Sequence, residues 1–401
     1  VSVAVRTLPD LLRRNARNPN AVVYAALIAG ALLFPTIVGF ANPEQASTLI
    51  NQAADAGVFV LMAIGLNVVV GFAGLLDLGY AAFFAIGAYT YAMLASGQLQ
   101  LAPTHHAVHL PFWLLLLLAV FVAATAGAIL GAPTLRLRGD YLAIVTLGFG
   151  EIVPRLFRNF SNWTGGVNAI SAIDSPTLPL WVDGPWDGGA PFQVVHDMRF
   201  TSGFPVAYYV LMALLILGSV ILVTNLQRSR LGRAWMAVRE DEVAASAMGV
   251  NTVNIKLLAF AIGAGFSGFA GCFFAAKLSS VSPENFSFLI SVTVLLMVTL
   301  GGMGNVPGAI VGALLIYFTQ YKILTDLPRW TTSVSSGIGL PPHVVTSLHD
   351  LATNLNFVVF GLILVVTMLL RPQGLVPSRV RQQELTGGTH EEAVVDVRGA
   401  A

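Results

Sequence analysis

The stretch Gly232-Arg-Ala-Trp-Met-Ala-Val-Arg-Glu-Asp-Glu-Val-Ala-Ala-Ser-Ala-Met-Gly249 is charged, amphipathic and of helix-favouring composition, and it stands between two apolar runs at 205–226 and 256–278. Its placement decides the architecture, because basic residues flanking apolar spans gather on the cytosolic side of a membrane. Arg233, Arg239, Glu240, Asp241 and Glu242 give it a mixed-sign polar face, and Trp235, Met236, Val238, Val243 and Met248 give it apolar contacts. Ala244, Ala245 and Ala247 are small and favour helix, and Gly249 can end the helix in a left-handed conformation. An amphipathic helix resting on the inner leaflet is one reading. The acidic cluster argues against it, since an anionic leaflet would repel it, and the alanines leave a shallow surface suited to a protein groove. The segment reads as a short rigid helix, a handle that a soluble partner can push.

The rest of the chain is what such a handle would move. Of 401 residues, 56% are hydrophobic and only 10% charged, against about 25% charged in a soluble domain. The chain therefore reads as a polytopic membrane protein. A net charge of +1 predicts no nucleic-acid partner. The one cysteine, Cys272, lies in an apolar run, which excludes a disulfide within the chain and a cysteine-rich metal site, and marks a buried small hydrophobe. Arg6, Arg13, Arg14 and Arg17 precede an apolar run at 21–40 that is too long for the core of a cleaved signal peptide, so it reads as the first membrane helix.

Runs of roughly 20 apolar residues cross the hydrocarbon core as helices. Ten candidates follow in order: 21–40, 50–72, 78–97, 111–134, 140–157, 205–226, 256–278, 286–303, 306–321 and 355–370. With ten spans and both termini in the cytosol, most basic residues fall inside, among them Arg136, Arg138, Arg228, Arg230, Arg233, Arg239, Lys256, Arg371, Arg379 and Arg381. Treating the fifth run as re-entrant would push the 228–239 cluster outside and violate that asymmetry. The expected organisation is a cytosolic segment at 1–20, a membrane domain at 21–378 and a disordered cytosolic tail at 379–401. Within the membrane domain lie an external loop at 158–204 and a cytosolic loop at 227–255. The external loop, with Trp163, Trp181 and Trp186, and the segment 322–354, with Trp330, are turn-rich. Their tryptophans read as interfacial anchors, and the segments themselves could dock an extracytoplasmic partner.

Gly263, Ser267 and Gly271 recur every four residues, as do Gly304, Gly308 and Gly312. Small residues at that interval let helix backbones approach closely in lipid. The segments 66–87 and 300–316 share a plan of apolar run, glycine-rich break and apolar run, as an internal duplication would produce.

Catalytic signatures are missing from the sequence. It carries no Gly-x4-Gly-Lys-Ser/Thr loop for nucleotide, no His-Glu-x-x-His and no Gly-x-Ser-x-Gly, and His105, His106 and His109 fall in an external connection. The chain is expected to perform no chemistry and to bind no metal. Polar groups inside spans are the remaining candidates for a translocation path. Glu151 lies about 16 Å along its helix from Asp140. With Gly148, Gly150 and Pro154 around it, two readings stand: a kinked path element carrying a carboxylate, or a simple pair with Arg155 one turn on. Asn67, Thr90 and Thr146 are weaker path candidates, since each can satisfy itself on its own helix. Asp55, near a span end, and Asp77, in a turn, read as solvated charges.

Three blocks resemble a known family. They are Gly65-Leu-Asn-Val-Val-Val-Gly-Phe-Ala-Gly-Leu-Leu-Asp-Leu-Gly79 with Ala82-Phe-Phe-Ala-Ile-Gly-Ala-Tyr89, then Arg138-Gly-Asp-Tyr-Leu-Ala-Ile-Val-Thr-Leu-Gly-Phe-Gly-Glu-Ile-Val153 with Thr164-Gly-Gly-Val-Asn168, and Leu300-Gly-Gly-Met-Gly-Asn-Val-Pro-Gly308. Together they resemble the permeases of bacterial branched-chain amino acid ABC importers of the LivM type, over roughly residues 50 to 375. The resemblance implies an all-α permease fold in the inner membrane, a second permease subunit, two ATP-binding subunits that use ATP and magnesium, and a periplasmic binding protein. It also implies that the cytosolic loop couples to the ATP-binding subunit through a motif Glu-Ala-Ala-x3-Gly. Ala244, Ala245 and Gly249 match that motif, while Val243 stands at the glutamate position with Glu242 one residue earlier. The coupling candidates are thus Gly232, Arg233, Arg239, Glu240, Asp241, Glu242, Ala244, Ala245 and Gly249. Related permeases import urea, short amides or other amino acids. From a different class, an ion-coupled carrier with Glu151 as its proton site is the competing reading.

Overall fold

In lipid no water is present to pair exposed backbone groups, so long apolar runs close into helices, and the computed structural model of the chain is built of them. It describes residues 19–41, 43–101, 108–134, 140–176 and 205–320, with short pieces between 328 and 376. In order come α1 (Pro19–Ala41), α2 (Ala46–Leu66) with a π-helical extension (Asn67–Phe72), α3 (Tyr80–Leu94), β1 (Ala95–Ser96), α4 (Gln98–Leu101), β2 (Val108–His109), α5 (Phe112–Thr134) and α6 (Asp140–Asn159). A short turn of helix, α7 (Ser161–Thr164), leads through β3 (Ile170–Ser171) toward α8 (Pro205–Arg228), α9 (Arg230–Glu240), α10 (Glu242–Ala247) and α11 (Thr252–Leu278). The described core closes with β4 (Ser280–Val281), α12 (Phe288–Gly301) and α13 (Val306–Phe318). The two-residue strands pair locally and antiparallel, Ala95 with His109 and Ile170 with Val281.

The protein is polytopic and mostly helical. Among the described residues, six stretches are long and apolar enough to cross a membrane: Val22–Ala41, Ala46–Phe72, Phe112–Thr134, Pro205–Arg228, Thr252–Leu278 and Pro283–Gly301. Helices also occupy the third, fifth and ninth expected positions, but α3 and α13 have only 15 and 13 residues, and α6 carries an amphipathic, charged sequence. The tenth expected run falls largely outside the described residues. So do the N-terminal arginines, Arg136, Arg138, Trp181, Trp186, Trp330, the loop from 177 to 204 and the tail from 379.

The 27-residue α11 is the central post, packed most heavily against α5, α3 and α2. Its small-residue stripe is the reason. A Cβ on Gly271 would lie 2.2 Å from the Phe84 carbonyl oxygen, and one on Gly87 would lie 2.2 Å from that of Gly268. Such close backbone approach supplies the dispersion contacts that hold helices together where lipid removes the hydrophobic drive. Ser267 Oγ donates to the Tyr80 carbonyl, and Tyr80 Oη donates to the Gly263 carbonyl.

These contacts set the depth of each helix. Along α3, Tyr80 and Phe84 stand beside Ser267 and Gly271 of α11, so the two helices run parallel. In α2 the order reverses, with Gly65 beside Phe266 and Asp55 beside Lys277. Helix α3 thus begins some 15 residues, about 22 Å, along α11. The chain leaves the π-helical extension and returns, without helix, through 73–79 into the middle of the bundle. The expected span at 78–97 is therefore a shortened helix of 15 residues entered through an unwound segment.

The α12–α13 hairpin is the other close-packed pair. A Cβ on Gly312 would lie 2.1 Å from the Met297 carbonyl oxygen, and one on Gly301 would lie 2.2 Å from that of Gly308. Gly304 departs from the expected helical stripe. It sits in the 302–305 turn, where Gly302 and Gly304 take φ of 121° and 79°, backbone that residues with a Cβ rarely adopt.

Candidate functional site

The two glycine-rich breaks noted in the sequence meet in space. Asn67, on the π-helical extension, accepts a hydrogen bond at Oδ1 from the Gly304 amide, 2.8 Å away across 237 residues. The extension arises where the α-helical ladder slips to wider bonds, with the Ala73 amide donating to the Val68 carbonyl. Such π segments gather at functional sites because they interrupt a helix at a defined point. Asn67 is fully buried, and its Nδ2 is enclosed without a hydrogen-bond partner.

The unwound segment 73–79 is tied down by side chains from other helices. The Leu78 amide donates to Thr146 Oγ1 of α6 at 3.0 Å, and the Ala81 amide donates to Ser291 Oγ of α12 at 2.8 Å. The Gly79 amide donates to Asp77 Oδ1 at 2.9 Å. These three contacts satisfy amides that the start of α3 would otherwise leave orphaned. Asp77 corrects the sequence reading, for it is 1% exposed rather than solvated. It closes a local turn just ahead of α3 inside the protein, where the surrounding elements exclude water. Asp55 keeps a side chain 40% exposed, as a place near a span end suggests, but it is also paired: Lys277 Nζ, nearly buried, donates to Asp55 Oδ1 at 2.5 Å and to the Asn51 carbonyl.

The remaining path candidates separate. Thr146 joins the break. Thr90 instead donates to the Ile86 carbonyl of its own helix. Glu151 accepts from Arg155 at 3.1 Å on a half-exposed face, and α6 runs through Pro154 without interruption. The i,i+4 pair with Arg155 that the sequence offered is therefore formed.

The charged loop is an elbow of two helices, not the one rigid helix expected over 232–249. Ser229 caps α9 by accepting from the Gly232 amide, and a Cβ on Gly232 would lie 2.3 Å from the Gln227 carbonyl oxygen, so the tight turn out of α8 needs glycine. Arg233 donates to the Arg228 carbonyl at that turn. Asp241 then takes an extended conformation, φ −151°, and ends α9. Its Oδ1 accepts from the Val243 and Ala244 amides and so starts α10, an N-cap. Gly249, at φ 85°, closes the motif as its sequence position suggested.

The two arms of the elbow have different surroundings. On α9, Trp235 is fully buried and donates its indole N–H to the Ile255 carbonyl of α11 at 2.8 Å, with Val238 buried beside it. Arg239 reaches inward: its guanidinium donates to the Gly71 carbonyl, and its stem lies against Gly74. On α10, Ala245 is buried and Glu242 pairs with Lys256 Nζ at 2.5 Å. Val243 and Met248, by contrast, are 69% and 84% exposed. Glu240 and Ala244 are exposed with them. The sequence missed how Arg239 and Asp77 are used, and the glycines at 71, 74 and 79 were the available signal, since backbone that close to other groups leaves no room for a Cβ.

Among the described residues, no group of three or more His, Cys, Asp or Glu side chains could hold a metal ion. The arrangement carries no reactive constellation. What it can do mechanically is join a surface elbow to two opposed helix breaks.

Comparison with known proteins agrees with this architecture. A family model described as branched-chain amino acid transport system, permease component, matches residues 48–368. The high-affinity branched-chain amino acid transport system permease protein LivM of Salmonella typhimurium is 39% identical, over 90% of this chain and 76% of its own length. LivM of Escherichia coli is 38% identical over the same shares. LivH of Escherichia coli, also a permease protein of that system, is 24% identical over 67% of this chain and 82% of its own length. No solved structure matches the chain. The family match spans both helix breaks and the elbow between them, and the chain belongs to the family of branched-chain amino acid transport permeases.

Proposed function

We propose that the chain is one membrane-spanning subunit of an importer that moves branched-chain amino acids inward, driven by ATP hydrolysed on separate subunits. The observation that carries the coupling part of this reading is the elbow. A surface helix that leaves Val243 and Met248 bare, on an arm whose other half is buried in the bundle, is a shape made to receive another protein. Exposed apolar side chains of this kind mark interaction sites. Leu, Ile and Val as substrates follow from the names of the relatives. The absence of a phosphate-binding loop from the sequence places nucleotide and magnesium on partner subunits.

In the full reading the chain has ten spans and both termini in the cytosol, with α9 and α10 on that side. The similarity to LivH as well as LivM supports a second permease of the same build as its partner. A periplasmic binding protein delivers substrate to the opposite face, on 158–204, and the permease pair exposes its cavity alternately to the two sides. The 227–255 loop is the coupling segment, with Glu240, Ala244, Val243 and Met248 turned toward the ATP-binding subunit. Asp241 and Gly249 shape it, and Glu242 anchors it to Lys256.

Co-purification tests this reading. Met248→Glu and Val243→Glu, which leave every buried contact in place, are expected to release the ATP-binding subunits and stop uptake. Retention of those subunits with normal uptake would remove the docking assignment. An ion-coupled carrier is separated by Glu151→Gln, which is expected to keep ATP-dependent uptake with unchanged pH dependence, because Glu151 merely pairs with Arg155.

A further inference from the structure

We infer that Arg239 is the transmission contact of this permease: its bond to the Gly71 carbonyl ties the elbow to the helix breaks, so that movement of α9 opens or closes them. The inference rests on the coupling reading above and assigns a residue that faces away from the docking surface.

The argument begins with an orphaned group. At the end of the π-helical extension the carbonyls have lost their helical donors, since the Ala73 and Leu75 amides donate to Val68 and Val69 instead. A carbonyl at a helix C-terminus is best satisfied by a cation, through both a charge-assisted hydrogen bond and the helix dipole. Arg239 supplies that cation to Gly71 from 168 residues away. Its stem fills the space over Gly74, which takes φ of 70°, where a side chain would strike the arginine's Cγ. A long cationic side chain can reach that carbonyl with its stem packed and its head still charged.

Gly71 is also the residue pressed against the second break. A Cβ there would lie 2.5 Å from the Gly304 amide nitrogen, the same amide that donates to Asn67. Two hydrogen bonds therefore connect three elements in series: Arg239 on α9 to Gly71, and Asn67 of the same π segment to Gly304 between α12 and α13. Trp235 fixes α9 to the start of α11, which gives the arm a pivot. A π segment can shift its hydrogen-bond register within the helix, which gives such a connection its two-state element. Pulling Arg239 away would leave the Gly71 carbonyl unsatisfied in a buried site, so the break must follow the arm or lose the bond.

The test uses the whole transporter, chain with partner permease, ATP-binding subunits and binding protein, reconstituted in liposomes. Arg239→Met keeps the stem over Gly74 and removes the donor; Arg239→Lys keeps a cationic donor. For Arg239→Met the expected result is an intact complex that hydrolyses ATP but takes up about tenfold less substrate per ATP, a typical size for a lost coupling energy. Arg239→Lys is expected to restore most of that ratio, which a merely structural role would not require. An unchanged uptake-to-hydrolysis ratio in Arg239→Met overturns the inference, and so does loss of the ATP-binding subunits, which would make Arg239 a docking residue. Met248→Glu, measured alongside, reports on docking alone. If it keeps the ATP-binding subunits, the coupling reading fails whatever Arg239 does.

Discussion

Helices α1 and α2 are equally apolar over their most hydrophobic 18 residues, yet 83% of that stretch is buried inside the protein in α2 and 6% in α1. Both are long enough to cross a membrane. The difference lies in what punctuates them. Gly57, Gly65 and Gly71 of α2 and its extension each abut a neighbouring group where a Cβ would intrude, whereas Gly30 and Gly39 of α1 face open space. Helix α1 is held by a few contacts, among them the Tyr209 hydroxyl donating to the Ala31 carbonyl and the Phe34–Tyr209 ring stack. A half-open pocket of about 310 Å³, lined by Leu27, Phe34, Gly57, Met212 and Ile216 among others, lies between it, α2 and α8. Apolarity commits a helix to the membrane, and close backbone contact decides which helices form the working centre.

That comparison can be tested by graded substitutions. The largest effect is expected from Gly271→Leu, because its Cβ meets the backbone of α3, which cannot give way. Folded protein should be lost, read as the disappearance of a monodisperse peak after detergent extraction, and a stable Gly271→Leu protein would refute the close-packing account. Asn67→Ala comes next, at about 1–3 kcal/mol, since the part-buried Gly304 amide loses its acceptor. Thermal unfolding of the solubilised protein measures it, and an unshifted midpoint would mean that the two breaks are not joined. Gly57→Ala should cost only about 1 kcal/mol, because the obstacle is the flexible Met212 side chain, which can move aside. Leu32→Ala on α1, where Leu32 is exposed to the bilayer, should change stability by less than about 0.5 kcal/mol. A larger loss there would show α1 to be packed against something in the folded protein.

Much of the fold was legible because its signals are local. Helices occur at each of the first nine apolar runs, and the Gly263, Ser267 and Gly271 stripe packs as its spacing suggests. The first and third family blocks coincide with the residues that build the two breaks, and the second supplies Thr146, which holds the first break. Less was legible at the site. Arg239 read as part of a polar face turned to a partner, and it turned inward because an unsatisfied carbonyl lies within reach of its long side chain. Asp77 read as a solvated turn residue, since sequence does not reveal that α12 and α6 cover the unwound segment. The single helix expected over 232–249 gave way to an elbow because Asp241 caps better than it continues a helix.

Residue order alone makes this a helical membrane protein and sets where its apolar segments begin and end. It also marks a polar arm between two of the spans and places the glycines where backbones approach. Those properties depend on residues a few positions apart, through hydropathy, charge and helical period. It took the packed bundle to show that Tyr80 starts a shortened helix beside the middle of α11, that Asn67 meets Gly304, and that Arg239 meets Gly71. Each of those contacts joins residues more than 160 positions apart, and their pairing is settled by which orphaned donor or acceptor each close-packed helix leaves facing its neighbour.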